Sequence, residues 1–277
     1  MTDATGDAAI RDHIRYCKRK GLRPRTISAR HDCLIRLREN ASGPLLTLTR
    51  EQIEDYLDQF ENDKTRAVYL SHIAAFFRWA HDEDVVPQDP TRRIVRPRVK
   101  AGRPHPIDTE DLRRALTHPG PPHVIAWLKV AAYAGLRACE IAVMRAEDID
   151  RRAGKLVVPV GKGGGHRQID VSPALMTELD KWPRSGWLWK PDGPWHYEVV
   201  SRLANKHLDA AGVNTTLHSL RHWYATELYR ASGHDLLLVQ RSLGHASPTT
   251  TQVYADIVND AGRAAAAALP DLTNDAA

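Results

Sequence analysis

The chain has 277 residues, 42% hydrophobic and 26% charged, with 39 Lys and Arg against 34 Asp and Glu. At roughly 100–200 residues per domain this makes one large or two ordinary domains with a real core, which excludes a disordered chain. The longest apolar stretch, Val124 to Leu136, is broken by Lys129 and is too short to span a bilayer; Met1 to Ala9 is too polar for a signal peptide; and three cysteines without a CxxC pair suggest neither a disulfide framework nor a zinc ribbon, so a cytosolic protein is expected.

The excess charge is not spread evenly. Residues 1–105 hold 20 Lys and Arg against 15 Asp and Glu, and residues 106–277 hold 19 of each. Arg11 to Arg38 alone carries ten basic residues against Asp12 and Asp32. This suggests a first part that grips a polyanion, although a solvated helix face has the same composition. In chain order, the first helix is expected to begin near Ala8. Arg25 to Arg38 spaces Ile27, Leu34, Ile35 and Leu37 as a helix does. Thr49 and Gln52 form a capping-box pattern ahead of Ile53, Tyr56, Leu57 and Phe60, and Lys64 to His81 is a longer amphipathic stretch. No strand signal occurs here, so residues 1–86 read as a bundle of four or five helices.

From Pro87 to Pro106 five prolines interrupt any helix, and Arg92 to Arg103 carries Arg92, Arg93, Arg96, Arg98, Lys100 and Arg103 with no acid among them. Residues 87–106 are a basic linker, fit to follow a phosphate backbone or simply to be solvated. Residues 107–277 read as a second domain. Thr109 to Leu116 and Val124 to Tyr133 are helical, with Gly135 ending the second. Lys155 to Val160 and His166 to Val171 make a β-hairpin around Gly161-Lys162-Gly163-Gly164-Gly165, a loop too glycine-rich to hold one shape alone. Helices then follow at Pro173 to Trp182, Tyr197 to Ala211, Leu217 to Ala231 and Leu236 to Leu243, with a last segment from Pro248. The fold class is mainly α with one small β element.

Taken singly, the chemical motifs stay ambiguous. Gly161-Lys162 is not a nucleotide-binding P-loop, because Lys155 to Val160 holds no earlier glycine and Gly163 replaces Ser or Thr. A lysine at the tip of a hairpin remains, well placed to deliver a proton. His218 and His222 have the one-turn spacing of metal ligands but no obvious third ligand; alternatively, His218 and Arg221 share a face that would hold a phosphate. Arg137 and Glu140 are a common surface pair, Leu243-Gly244-His245 a plain helix end, and Tyr254 a residue more often packed than reactive.

Together, Gly-Leu-Arg-x-x-Glu, the Gly-Lys-Gly hairpin, His-x-Leu-Arg-His, Leu-Gly-His and a tyrosine nine residues later resemble the tyrosine recombinase family, the phage integrases and their bacterial Xer-type relatives. The motifs cover about Asp108 to Ile257, and the helical first part matches the family's core-binding (SAM-like) domain in size and character. The hairpin lacks the second lysine of many relatives, and Trp223-Tyr224 stands where many carry a small residue and Phe, a change of packing rather than chemistry. Tyr224 and Tyr229 are rival tyrosines that do not follow the Leu-Gly-His turn.

The resemblance implies a site-specific recombinase that cleaves and rejoins DNA through a 3′-phosphotyrosyl link, without ATP, metal or other cofactor. It implies Tyr254 as nucleophile, Arg137 and Arg221 as clamps on the phosphate oxygens, Lys162 as proton donor to the leaving 5′-oxygen, His218 in proton transfer at the tyrosine, His245 as hydrogen-bond donor to the phosphate, and Glu140 as a brace. Partners implied are double-stranded DNA at an attachment or core site, a homotetramer on synapsed DNA and a possible directionality factor, with no membrane and a cytoplasmic, nucleoid-associated location. Lys64 and Arg66 are candidates to face a DNA groove, solvent exposure being the alternative. A first helix near Ala8 leaves no room for a separate arm-binding domain, which favours a compact integrase with a simple attachment site or an Xer-type resolvase; Trp223 and the lone hairpin lysine then favour integration or excision of a phage or mobile element. An Xer-type dimer resolvase, a type IB topoisomerase-like enzyme and an inactive DNA-binding protein are the alternatives.

Overall fold

A computed structural model describes residues 3–99, 105–159 and 166–244. The chain divides into two compact units, Met1–Gly102 and Arg103–Ala277.

In the first unit, helix α1 spans Ala4–Arg19, four residues earlier than Ala8, because the Asp3 carboxylate accepts the Gly6 N–H at 2.9 Å and caps the helix. Pro24 starts α2 (Pro24–Asn40), the Thr49–Gln52 capping box opens α3 (Arg50–Asp58), and Asn62 caps α4 (Asp63–Asp82). Leu34, Leu37, Ile53, Ile73, Phe76 and Phe77 are completely buried between them. No strand occurs among the described residues of this unit. The first half of the proline-rich stretch does not hang free. Thr91 is buried, with its N–H and hydroxyl both donated to the Asp89 carboxylate, and Ile94 packs against the bundle core. Arg92, Arg93, Arg96 and Arg98 stay exposed.

The second unit is built on α6 (Pro122–Ala134), which follows α5 (Thr109–Thr117). The apolar run of α6 is covered on nearly every side, including completely buried Trp127, Leu128 and Val130, so it is a central core helix. Its one charge, Lys129, is matched by Glu178 at 2.7 Å. Helix α7 (Ala138–Ala142) leads to a three-stranded antiparallel sheet in the order β1 (Ile149–Asp150), β2 (Lys155–Pro159), β3 (His166–Asp170). The hairpin thus carries a third short strand, pairing Ile149 with Leu156. Helices α8 (Pro173–Leu179), α9 (Tyr197–Ala210), α10 (Leu217–Ala231) and α11 (Leu236–Leu243) complete the described part. Helix α10 lies against α6, and α11 lies against α10 and β3, so the start of α10, the end of α6 and the end of α11 meet. Among the described residues no helix is long and apolar enough to cross a membrane.

Candidate active site

The site begins with a glycine. Gly135 ends α6 with φ +65°, a left-handed conformation in which residues with a Cβ are strained. Its missing side chain lets the Tyr224 ring pack directly on the backbone. The chain reverses, and two residues later Arg137 stands at the start of α7.

Glu140, one turn on, organises the cations. Its carboxylate accepts the Arg137 backbone N–H at 2.8 Å and the Arg137 guanidinium at 3.1 Å. Arg167, from β3, grips the same carboxylate with two parallel hydrogen bonds of 2.8 Å. Arg221, from α10, lies 3.9 Å away. Burial alone would raise the Glu140 carboxyl, but the Arg167 hydrogen bonds and charge, the Arg137 backbone and the Arg221 charge outweigh it and hold the carboxyl below its ordinary value. Three guanidinium groups therefore surround one carboxylate, a local charge of +2 set into the second unit.

The ends of α6 and α11 supply the other acceptors. The last carbonyls of a helix have no partner within it and carry the negative end of its dipole. Here Arg221 donates to the carbonyls of Gly135 and Leu243 (2.8 Å to Leu243), Arg167 Nε to the carbonyl of Ser242 at 2.9 Å, and Arg137 to the carbonyl of Leu243 at 3.5 Å. Gly244 then turns left-handed with φ +64°, and a Cβ there would press on the Arg167 side chain at 3.0 Å.

His218 and His222 stack edge to face on α10 with ring centroids 4.5 Å apart. Burial, with Arg221 and Arg137 adding to it, lowers His218; burial and the neighbouring charges push His222 down to about 4. Both rings are therefore held towards the neutral form, in which an imidazole can accept a proton. Among the described residues no group of three His, Cys, Asp or Glu side chains could hold a metal ion.

Of the residues singled out from sequence, Arg137, Glu140, His218 and Arg221 come together here, with 37% of the Arg137 side chain and 1% of the Arg221 side chain exposed. Lys162, His245 and Tyr254 lie outside the described residues. The rival Tyr224 and Tyr229 are buried, and burial raises the Tyr224 hydroxyl despite a Ser242 hydrogen bond and nearby Arg167 and Arg221. Trp223 packs edge-on against Tyr133 and donates Nε1–H to Thr109 Oγ1 at 3.1 Å. In the first unit Lys64 is exposed. Arg66 is tied down, donating to the Phe60 carbonyl at 3.0 Å with Asp58 and Asp63 each at 3.8 Å. Sequence reasoning missed Arg167. Its signal is alternation: on β3, Arg167 and Ile169 point inward between exposed His166, Gln168 and Asp170, so a charge occupies a core position.

The phage integrase family model matches residues 114–260. The tyrosine recombinase XerC of Yersinia pestis is 30% identical over 207 residues, 69% of this chain and 68% of its own length. Two solved structures share the fold: a lambda integrase dimer bound to a COC′ core site (TM-score 0.74, 19% identity, 90% of this chain and 76% of that one) and a lambda integrase tetramer bound to a Holliday junction (TM-score 0.72, 20% identity, 88% and 78%).

Proposed function

Since the chain belongs to the phage integrase family of tyrosine recombinases, enzymes of site-specific DNA cleavage and rejoining, we propose that it recombines an attachment-type site with Tyr254 as nucleophile and Arg137 and Arg221 as the phosphate clamp. The observation that supports this reading most is the three-arginine cluster around Glu140. The transition state of phosphoryl transfer concentrates negative charge on the non-bridging oxygens, and planar, permanently charged guanidinium groups meet that charge better than lysine does. The fixed carbonyls of Gly135 and Leu243 and the Glu140 carboxylate hold these groups in place, so little reorganisation is needed as charge develops. Only 1% of the Arg221 side chain is exposed, so a phosphate reaches it as neighbouring groups move aside.

The tyrosine hydroxyl, with an ordinary pKa of about 10, must lose its proton as it attacks. A neutral His218 beside the clamp suits it to take that proton. Lys162 would then protonate the departing 5′-oxygen, and His245 would hydrogen-bond the phosphate. Exchange of a phosphodiester for a phosphotyrosine ester conserves the bond, so the reaction requires no nucleotide. The exposed arginines at 92, 93, 96 and 98 would bind DNA phosphates, and four copies would act on two duplexes, a reading supported by the lambda integrase tetramer bound to a Holliday junction. Integration or excision of a mobile element is our preferred role.

The test uses a randomised duplex pool incubated with the protein in EDTA, from which DNA held covalently is selected and its attachment end mapped. We expect adducts at a 3′-phosphate and strand exchange between two copies of the selected site. No adduct, or dependence on a divalent metal, contradicts the reading; relaxation of supercoils without strand exchange assigns a topoisomerase-like activity instead.

A further inference from the structure

We infer that Arg167 is a positioning residue for strand cleavage: it occupies the Glu140 carboxylate and so keeps Glu140 from neutralising the arginines that meet the phosphate. This rests on the proposed clamp role of Arg137 and Arg221.

The argument is one of charge. Glu140 has two carboxylate oxygens among three guanidinium groups. Arg167 takes both at 2.8 Å, while Arg137 Nη1 reaches one at 3.1 Å and Arg221 Nη1 stands 3.9 Å from the other. A bidentate pair is the strongest arrangement open to a carboxylate and guanidinium, and it fixes the plane of both groups. Only 6% of the Arg167 side chain is exposed, and its Nε is held by the Ser242 carbonyl, so it reaches the site from behind and offers little to a substrate. It binds the start of α7, strand β3 and the end of α11 to one another through a single side chain. Without Arg167 the buried carboxylate must find other donors. The nearest are Arg137 and Arg221, and a short pair with either would draw that arginine away from a phosphate and cancel its charge. Loss of Arg167 should therefore act through Glu140, and only where negative charge develops on phosphate.

The experiment uses full-length protein and a nicked suicide duplex carrying the selected site, with single-turnover cleavage at saturating protein. Arg167→Met should lower the rate by about 100-fold, on the scale of one lost transition-state donor, while DNA affinity changes less than about threefold. Glu140→Gln added to Arg167→Met should recover about tenfold or more, because the offending charge is gone. A neutral methylphosphonate at the scissile position should shrink the Arg167→Met defect to less than about fivefold. A double variant no faster than Arg167→Met, or equal defects on the charged and neutral substrates, overturns the inference. Should Arg167→Met not fold, Arg167→Lys, which can reach only one carboxylate oxygen, carries the same comparison: a smaller loss on phosphodiester that vanishes on methylphosphonate supports the inference, and an equal loss on both overturns it. Failure of the wild type to cleave at all would instead sink the recombinase reading on which the inference stands.

Discussion

Gly135→Ala should cost far more than its single methyl group suggests. The added Cβ would press on Tyr224 Cδ1, lie 2.8 Å from Cε1 and 3.2 Å from Leu243 Cδ2, and force a left-handed backbone on alanine. The backbone cost is about 1–2 kcal/mol. Overpacking adds about 1–3 kcal/mol, because the Tyr224 ring is buried against the core and cannot swing clear. Gly212 separates the two contributions: its φ is +70° but nothing lies within 4 Å of a Cβ there, so Gly212→Ala bears the backbone cost alone. Denaturation followed by tryptophan fluorescence reads the second unit well, since six of the seven tryptophans lie in it. We expect Gly135→Ala to lose about 2–5 kcal/mol and Gly212→Ala about 1–2 kcal/mol. The carbonyl of Gly135 also accepts from Arg221, so the folded Gly135→Ala protein should cleave its site more slowly while Gly212→Ala cleaves normally. Equal stability losses in the two variants would refute the close-packing argument.

His13 is completely buried, 4.9 Å from the Trp79 ring centroid, and burial with the nearby Arg30 charge lowers its pKa to about 4 from an ordinary 6.5. The unfolded chain therefore takes up this proton first as pH falls. The stability due to the neutral ring is whole above pH 6.5 and is lost down to pH 4, by as much as about 3 kcal/mol. Hydrogen exchange in α1 and α4 should rise over that window and rise less in His13→Leu; parallel profiles would refute it. Replacing the exposed Arg92, Arg93 and Arg96 with Gln should flatten the slope of log affinity against log salt by up to about 2.7, at about 0.9 per phosphate contact, with cleavage of bound DNA little changed. An unchanged slope would remove this stretch from the DNA interface.

Most elements were readable because local rules govern them. The Thr49–Gln52 box, the Gly135 stop and the alternation of β2 and β3 each act within a few residues. What escaped depends on partners far along the chain. Arg167 meets Glu140 across 27 positions and Ser242 across 75, and Arg221 meets Gly135 across 86. Thr91 and Ile94 lie in a stretch whose prolines suggest open chain, yet a short turn on Asp89 returns them to the bundle. Arg66 is held by near neighbours instead, Phe60, Asp58 and Asp63, which leaves it less free than Lys64 to reach a groove. The site motifs, by contrast, are legible as an ordered set: the proposed phosphate clamp needs particular side chains whatever joins them, and Arg137, Glu140, His218 and Arg221 do meet in space.

The identity of the nucleophile tests the account most directly. On the nicked suicide duplex, wild type and Tyr224→Phe should each form a covalent protein–DNA adduct, and peptide mapping should place the DNA on Tyr254. Tyr254→Phe should bind the same duplex and form none. An adduct with Tyr254→Phe, or DNA mapped to another residue of the wild type, would contradict it.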